Sequence, residues 1–354
     1  MVSFFRKVSK TLVDGKVVVF GATSPVGRHL SLLLALCPHV RRLCCVGPLS
    51  RATPTVDVPQ ASSALADLLH IDTNTSIGLV DNMEHCKAEA HRADLVLFCS
   101  CGIPSPSRKL RNKALVESAP ELLLALDVVA QECPRAVVGI VSGPVNSLVP
   151  LAREVLLQRK IFDPRKLFGV TTPDVMHTRV LLAKEMHMNP YDLNVPVVGG
   201  RGGATICPLV TQTGFPVPHE RIVQICEEVQ SEKGCVAENV CDNLGKETVT
   251  CMDDNAQPKL SIACAALEWS ISILKAQHGN RGITECCFVE SSVVKETPFF
   301  SSRVELGVEG VERLLPLGDL TPYEEELVAK AAPLIADDVT AGLRFAPGSD
   351  GTVL

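Results

Sequence analysis

The stretch "KVVVFGATSPVGRHLSLLLAL", residues 16–36, constrains this chain more than any other. Val17 to Phe20 form a strand with no polar face. A strand that is apolar on both sides belongs in a sheet covered on both sides by helices, which in practice means a parallel sheet. The turn Gly21–Gly27 and the apolar helix after it complete the opening of a βαβ unit of the kind that binds dinucleotides. Similar runs recur. "VRRLCCVG" and "ADLVLFCSCG" read as further buried strands, and "AVVGIVSGPVNS" as a fourth strand entering a turn. "SSALADLLHI" reads as a short amphipathic helix, and "NKALVESAPELLLALDVVAQECP" as a long helix closed by Pro134.

After residue 160 the pattern changes. "LFGVTTPDVMHTRVLLAKEM" is a strand end followed by a helix, and "VPVVGGRGGATICPLV" is a strand, a glycine turn and a second apolar run. Helices follow in "ERIVQICEEVQSE" and "KLSIACAALEWSISILKAQ". Two strand-like segments then lead to a last helix, "TPYEEELVAKAAPLIADDVTAGL". The expected class is α/β: an N-terminal Rossmann-type doubly wound parallel sheet with a C-terminal mixed α+β domain. The expected division is an extension over 1–14, domains over 15–160 and 161–345, and a flexible tail over 346–354. A chain of 354 residues, 46% hydrophobic and 21% charged, has the core for two domains.

Net charge is −6, and there is no polybasic tract or aromatic platform, which argues against a nucleic-acid surface. No apolar run reaches the roughly 18 residues of a membrane span. Fifteen cysteines contain no C-x-x-C pair and lie mostly in apolar runs, so they read as buried reduced thiols in a reducing compartment rather than as a disulfide framework or metal site. The first ten residues, "MVSFFRKVSK", carry three basic residues and no acid. That composition fits either organelle targeting or a plain extension.

The order of the pieces, with "ADLLHI", "GPVNS", "FGVTTPD", "VPVVGG" and "TPYEEELVAKA" following the glycine turn, resembles NAD-dependent malate dehydrogenases of the mitochondrial and bacterial dimeric type, from about Lys16 to about Phe345. The resemblance implies NAD as cofactor, a homodimer with a surface near "SSALADLLHI" and residues 210–230, and a mitochondrial location. It also lets each functional position be compared. The family's turn resembles G-A-x-G-G-I-G; here Gly21 and Gly27 remain, the middle glycine is Ser24, and Pro25 removes an N–H donor. Twenty residues after Gly27, where the family's ribose-binding aspartate falls, stands Gly47; the next acid is Asp57. Arg51 leaves a route to a 2′-phosphate open. In the substrate loop, which resembles V-P-R-K-P-G-M-T-R, Ser105 replaces the first arginine and Arg111 matches the last, with Arg108 and Lys109 out of register. In the N-P-V-N-S turn the first asparagine is Gly143 while Asn146 is retained, and Asn146 reads first as a turn residue bonding its own backbone. Of T-T-L-D-I-V-R, Asp174 is kept and the arginine has become His177.

The family's acid–base histidine, from G-G-H-A-G-K-T, is Arg201 here. Arginine stays protonated and has no acceptor, so it cannot take a hydroxyl proton. Beside Asp174 it makes sense as a structural partner, expected to donate two hydrogen bonds, with anion binding as the rival reading. His177 lies one helical turn from Asp174, which leaves a relocated dyad open. His29 and His70 read as structural. Gly47, Ser105, Gly143, His177 and Arg201 together span cofactor, substrate and proton transfer. The expectation is therefore an inactive malate dehydrogenase-like protein used as a structural or binding subunit, with NAD binding weak or absent and no metal. Two alternatives stay open: an NAD(P)-dependent oxidoreductase acting on another 2-hydroxy acid, and a non-catalytic small-molecule sensor.

Overall fold

The structure, a computed structural model, describes residues 14–47, 63, 65–99, 108–141, 143–231 and 259–348. Its first half alternates strands β1 (Gly15–Phe20), β2 (Val40–Val46), β3 (Ser76–Val80), β4 (Leu95–Phe98), β5 (Val137–Ile140) and β6 (Leu167–Val170) with helices. These helices are α1 (Pro25–Ala35), α2 (Met83–Ala90), α3 (Arg108–Glu132) and α4 (Val145–Gln158). The strands lie in the order β3-β2-β1-β4-β5-β6 and pair in parallel, as a doubly wound sheet does. Along β1, Val17 and Val19 enter one buried cluster and Val18 and Phe20 the other. That is the two-sided burial that an unbroken apolar strand requires.

The second half supplies α5 (Thr172–Met186), β7 (Val197–Gly199), β8 (Ile206–Pro208), α6 (His219–Gln230), α7 (Lys259–Gln277), β9 (Ile283–Glu290), β10 (Phe299–Gly307), β11 (Gly310–Leu314) and α8 (Pro322–Arg344). β9 pairs antiparallel with β6, so the sheet runs on through β9-β10-β7-β8, with β11 on β10. The expected α/β fold with a mixed second region is what forms.

Two elements differ from the sequence reading. β3 and α2 were not anticipated, which makes "ADLVLFCSCG" the fourth strand and "AVVGIV" the fifth. β3 lies at the edge and is largely half-exposed, so its sequence, "SIGLV", lacks the apolar run of a central strand. The described part of "SSALADLLHI" is helical at 65–67 and ends in one 3-10 turn, Leu68–His70.

The last helix places the site. α8 opens with a capping box in which Thr321 and Glu324 bond each other's backbone N–H. The buried Glu324 carboxylate also takes the Thr211 N–H and hydroxyl, locking the helix to the turn at 210–213. Gly342 lets α8 cross the start of α4, since a Cβ there would stand 2.0 Å from the Ser147 carbonyl oxygen. One turn earlier, Asp338 faces Asn146.

Candidate functional site

Arg201 sits in the bend between β7 and β8, and Asp174 in the first turn of α5. Arg201 Nη1 donates to Asp174 Oδ1 at 3.0 Å, with side-chain exposures of 5% and 13%. The pairing is as expected, but one hydrogen bond joins the two groups rather than two. Arg201 Nε is buried without a hydrogen-bond partner, so the guanidinium meets the carboxylate through a single nitrogen.

Asn146 overturns its first reading. Its side chain bonds no local backbone. Oδ1 accepts the Arg201 backbone N–H at 2.8 Å, and Nδ2 donates to Asp338 Oδ2 at 3.1 Å. The approach is close enough to require Gly200, where a Cβ would stand 2.9 Å from both amide atoms. Arg111, near the start of α3, donates from Nε to Asp338 Oδ1 at 3.2 Å. Arg111, Asp338, Asn146, Arg201 and Asp174 thus form one chain of polar contacts linking four helices and the β7–β8 bend.

His177 does not join it. α5 runs unbroken through Asp174 and His177, yet no hydrogen bond connects them, and the charge nearest in effect to the imidazole is Glu228 of α6. Burial pushes His177 below the ordinary histidine pKa, with Glu228 pulling the other way. A relocated Asp–His dyad is therefore absent. Gly143 has φ of +87°, a left-handed conformation that glycine accepts without strain. Ser105, Arg51 and Asp57 lie outside the described residues, as do residues 1–13 and the end of the tail. The side chains of Arg108 and Lys109 are likewise undescribed.

At the glycine turn the chain satisfies its own donors. Ser24 caps α1, its hydroxyl accepting the Gly27 N–H at 3.0 Å. The Ser24 N–H goes to the Gly21 carbonyl and the Arg28 N–H to the Ser24 carbonyl, both at 2.9 Å. Pro25 has no N–H. A helix N-terminus binds phosphate through such groups, and here most are already occupied. Both surviving glycines are needed for packing alone: a Cβ on Gly21 would stand 1.9 Å from the Cys99 carbonyl oxygen, and one on Gly27 2.2 Å from that of Gly21. Gly47 continues the ladder by donating to Val80 and brings no side chain to a ribose.

A carboxylate also faces this turn. A Cβ on Gly21 would stand 3.5 Å from Glu121 Oε1, and burial pushes the Glu121 carboxyl up to about 7. The sequence reading missed both Glu121 and Asp338. Each falls on a buried helical stripe, Glu121 between Ser118 and Ala125 on α3, Asp338 between Ile335 and Gly342 on α8. An acid at a core-facing position of a 3.6-residue repeat was the available signal.

Of the eleven described cysteines, all but Cys264 are buried, and all are free thiols. Burial pushes Cys45 and Cys86 up to about 11, far from the thiolate range. Among the described residues there is no cluster of potential metal ligands, and no helix is long and apolar enough to cross a membrane.

A doubly wound parallel sheet continued by an antiparallel α/β layer is the architecture this chain shares with solved lactate and malate dehydrogenases. The chain belongs to the lactate/malate dehydrogenase family. Residues 171–346 match the family's alpha/beta C-terminal domain. The glyoxysomal malate dehydrogenase of Citrullus lanatus is 32% identical over 93% of this chain and 86% of its own length. The mitochondrial enzyme of Bos taurus is 30% identical over 94% and 92%. Among solved structures, the lactate dehydrogenase of Cryptosporidium parvum, complexed with lactic acid and NAD, superposes with a TM-score of 0.67 at 18% identity, covering 95% of this chain and all of its own. The malate dehydrogenase of the same organism gives 0.64 at 18%, covering 93% and 99%.

Proposed function

We propose that this chain is a non-catalytic member of the lactate/malate dehydrogenase family that serves as a structural or binding subunit, as a homodimer or within a larger assembly, and binds NAD weakly or not at all. The observation that carries the reading is the contact between Arg201 and Asp174. Oxidation of a 2-hydroxy acid requires a group that takes the hydroxyl proton as hydride leaves. A guanidinium cannot do this, and this one is held against the carboxylate that would orient a histidine base. The self-capped glycine turn, the bare Gly47 and the carboxyl of Glu121 point the same way for a diphosphate-bearing cofactor. The proposed compartment is mitochondrial, supported by the mitochondrial relatives; glyoxysomal relatives of similar identity make organelle fractionation its test.

The decisive assay mixes purified full chain with malate and NAD and follows NADH absorbance beside a mitochondrial malate dehydrogenase. The expected result is no malate-dependent signal. Clear turnover overturns the reading. Sizing of the complex captured at native abundance tests the subunit role, which fails if the chain runs alone as a monomer.

A further inference from the structure

The contacts of Asp338 define a carboxylate-binding site that the chain fills with its own side chain. One oxygen accepts from Arg111 Nε at 3.2 Å and the other from Asn146 Nδ2 at 3.1 Å. An arginine N–H and an amide N–H on the two oxygens of one carboxylate form a grip that recognises small carboxylic acids. The three residues come from three helices, α3, α4 and α8, with 227 and 192 residues separating Asp338 from its donors. The site is enclosed, with side-chain exposures of 15% for Arg111 and 8% for Asp338. It is also continuous with the rest of the polar network, because Asn146 holds the Arg201 backbone through its other amide atom.

We infer that Asp338 acts as an internal ligand: it occupies in cis a site whose chemistry suits a small free carboxylate, and keeps such molecules out. An ion pair this enclosed adds little net stability over an apolar filling, so packing alone does not account for it. The carboxyl group is delivered by α8, which is fixed independently through its capping box and the Glu324 contacts to Thr211. Of the two donors, Asn146 is also held independently of Asp338, by the Arg201 backbone N–H on its Oδ1. The inference goes beyond the non-catalytic reading and stands apart from it, since ligand binding and malate turnover are separate readouts.

Asp338→Ala removes the equivalent of one formate and leaves a good helix former in α8. The probes are sodium formate and sodium malonate against sodium chloride at equal ionic strength, with full-length protein. The wild type should show the same melting temperature in all three. Asp338→Ala should melt lower in chloride and recover saturably in formate or malonate, binding at least about tenfold tighter than wild type, the ratio one charge-assisted hydrogen bond supplies. Recovery should vanish in the Asp338→Ala/Arg111→Ala double variant. Asp338→Asn, which keeps the site filled, should not respond. Equal responses of wild type and Asp338→Ala, or no difference between formate and chloride in Asp338→Ala, overturn the inference. Should Asp338→Ala fail to fold in chloride, refolding in formate is the readout: native protein recovered only in formate supports the internal-ligand role, and recovery in neither salt overturns it.

Discussion

Truncating Arg201 to alanine removes the guanidinium but not the backbone N–H that Asn146 holds. What remains is the Asp174 carboxylate with an exposure of 13% and its arginine gone. Removing the cation of a buried ion pair costs roughly 3–5 kcal/mol. Two features place this case at the lower end. Asp174 lies in the first turn of α5, where the helix N-terminus stabilises a negative charge by about 0.3–1 kcal/mol. The pair is also joined by one hydrogen bond rather than two. The expected loss for Arg201→Ala is therefore about 3 kcal/mol. Urea unfolding followed by circular dichroism measures it, with an unchanged slope confirming that the unfolding reaction is the same. Asp174→Leu with Arg201→Met should recover much of that loss, and the double-mutant cycle should give a coupling of about 1–3 kcal/mol. A loss below about 1 kcal/mol for Arg201→Ala, the range of exposed pairs, would refute the structural role and favour an anion site.

Arg201→His should yield no malate-dependent NADH, because Gly47 and Gly143 still lack the family's cofactor and substrate groups; clear turnover from that one change would mean the site is nearly intact. NAD affinity, read by titration calorimetry, should rise about tenfold or more in Ser24→Gly/Gly47→Asp, since one charged hydrogen bond is worth roughly 1.5–3 kcal/mol and position 47 has room; adding Glu121→Ile should raise it further, and micromolar NAD binding by the wild type would contradict the argument. Burial raises both Glu121 and Glu285 from 4.5 to about 7, so the folded state binds more protons than the unfolded state between those values, and stability should fall as pH rises from about 4.5 to about 7. Glu121→Gln/Glu285→Gln should flatten that slope in urea melts, and an unchanged slope would remove these groups as its source. Native-state thiol labelling followed by intact mass should reach Cys264 and leave the ten buried described thiols unmodified, whereas labelling of all fifteen without denaturant would refute their burial.

The sequence alone determined the class of fold, because the apolar runs at Val17–Phe20 and Leu95–Phe98 tolerate no water on either face, and a sheet covered on both sides is the arrangement that satisfies them. It also determined that Arg201 cannot be a base, since that follows from the side chain's chemistry wherever it lies. β3 escaped because an edge strand exposed to solvent has no apolar run to betray it. Asn146 was misread because turn residues usually bond locally, and its actual partners, Asp338 and Arg201, lie 192 and 55 residues away. The number of hydrogen bonds between Arg201 and Asp174, the failure of His177 to meet Asp174, and the capture of Arg111 by Asp338 were decided only in three dimensions. Each depends on what packs against α3, α5 and α8 — the β7–β8 bend beside Asp174, α6 beside His177, α8 beside Arg111 — and that is fixed by the packing of the whole sheet and by close crossings such as Gly342 on Ser147, which no local pattern of residues encodes.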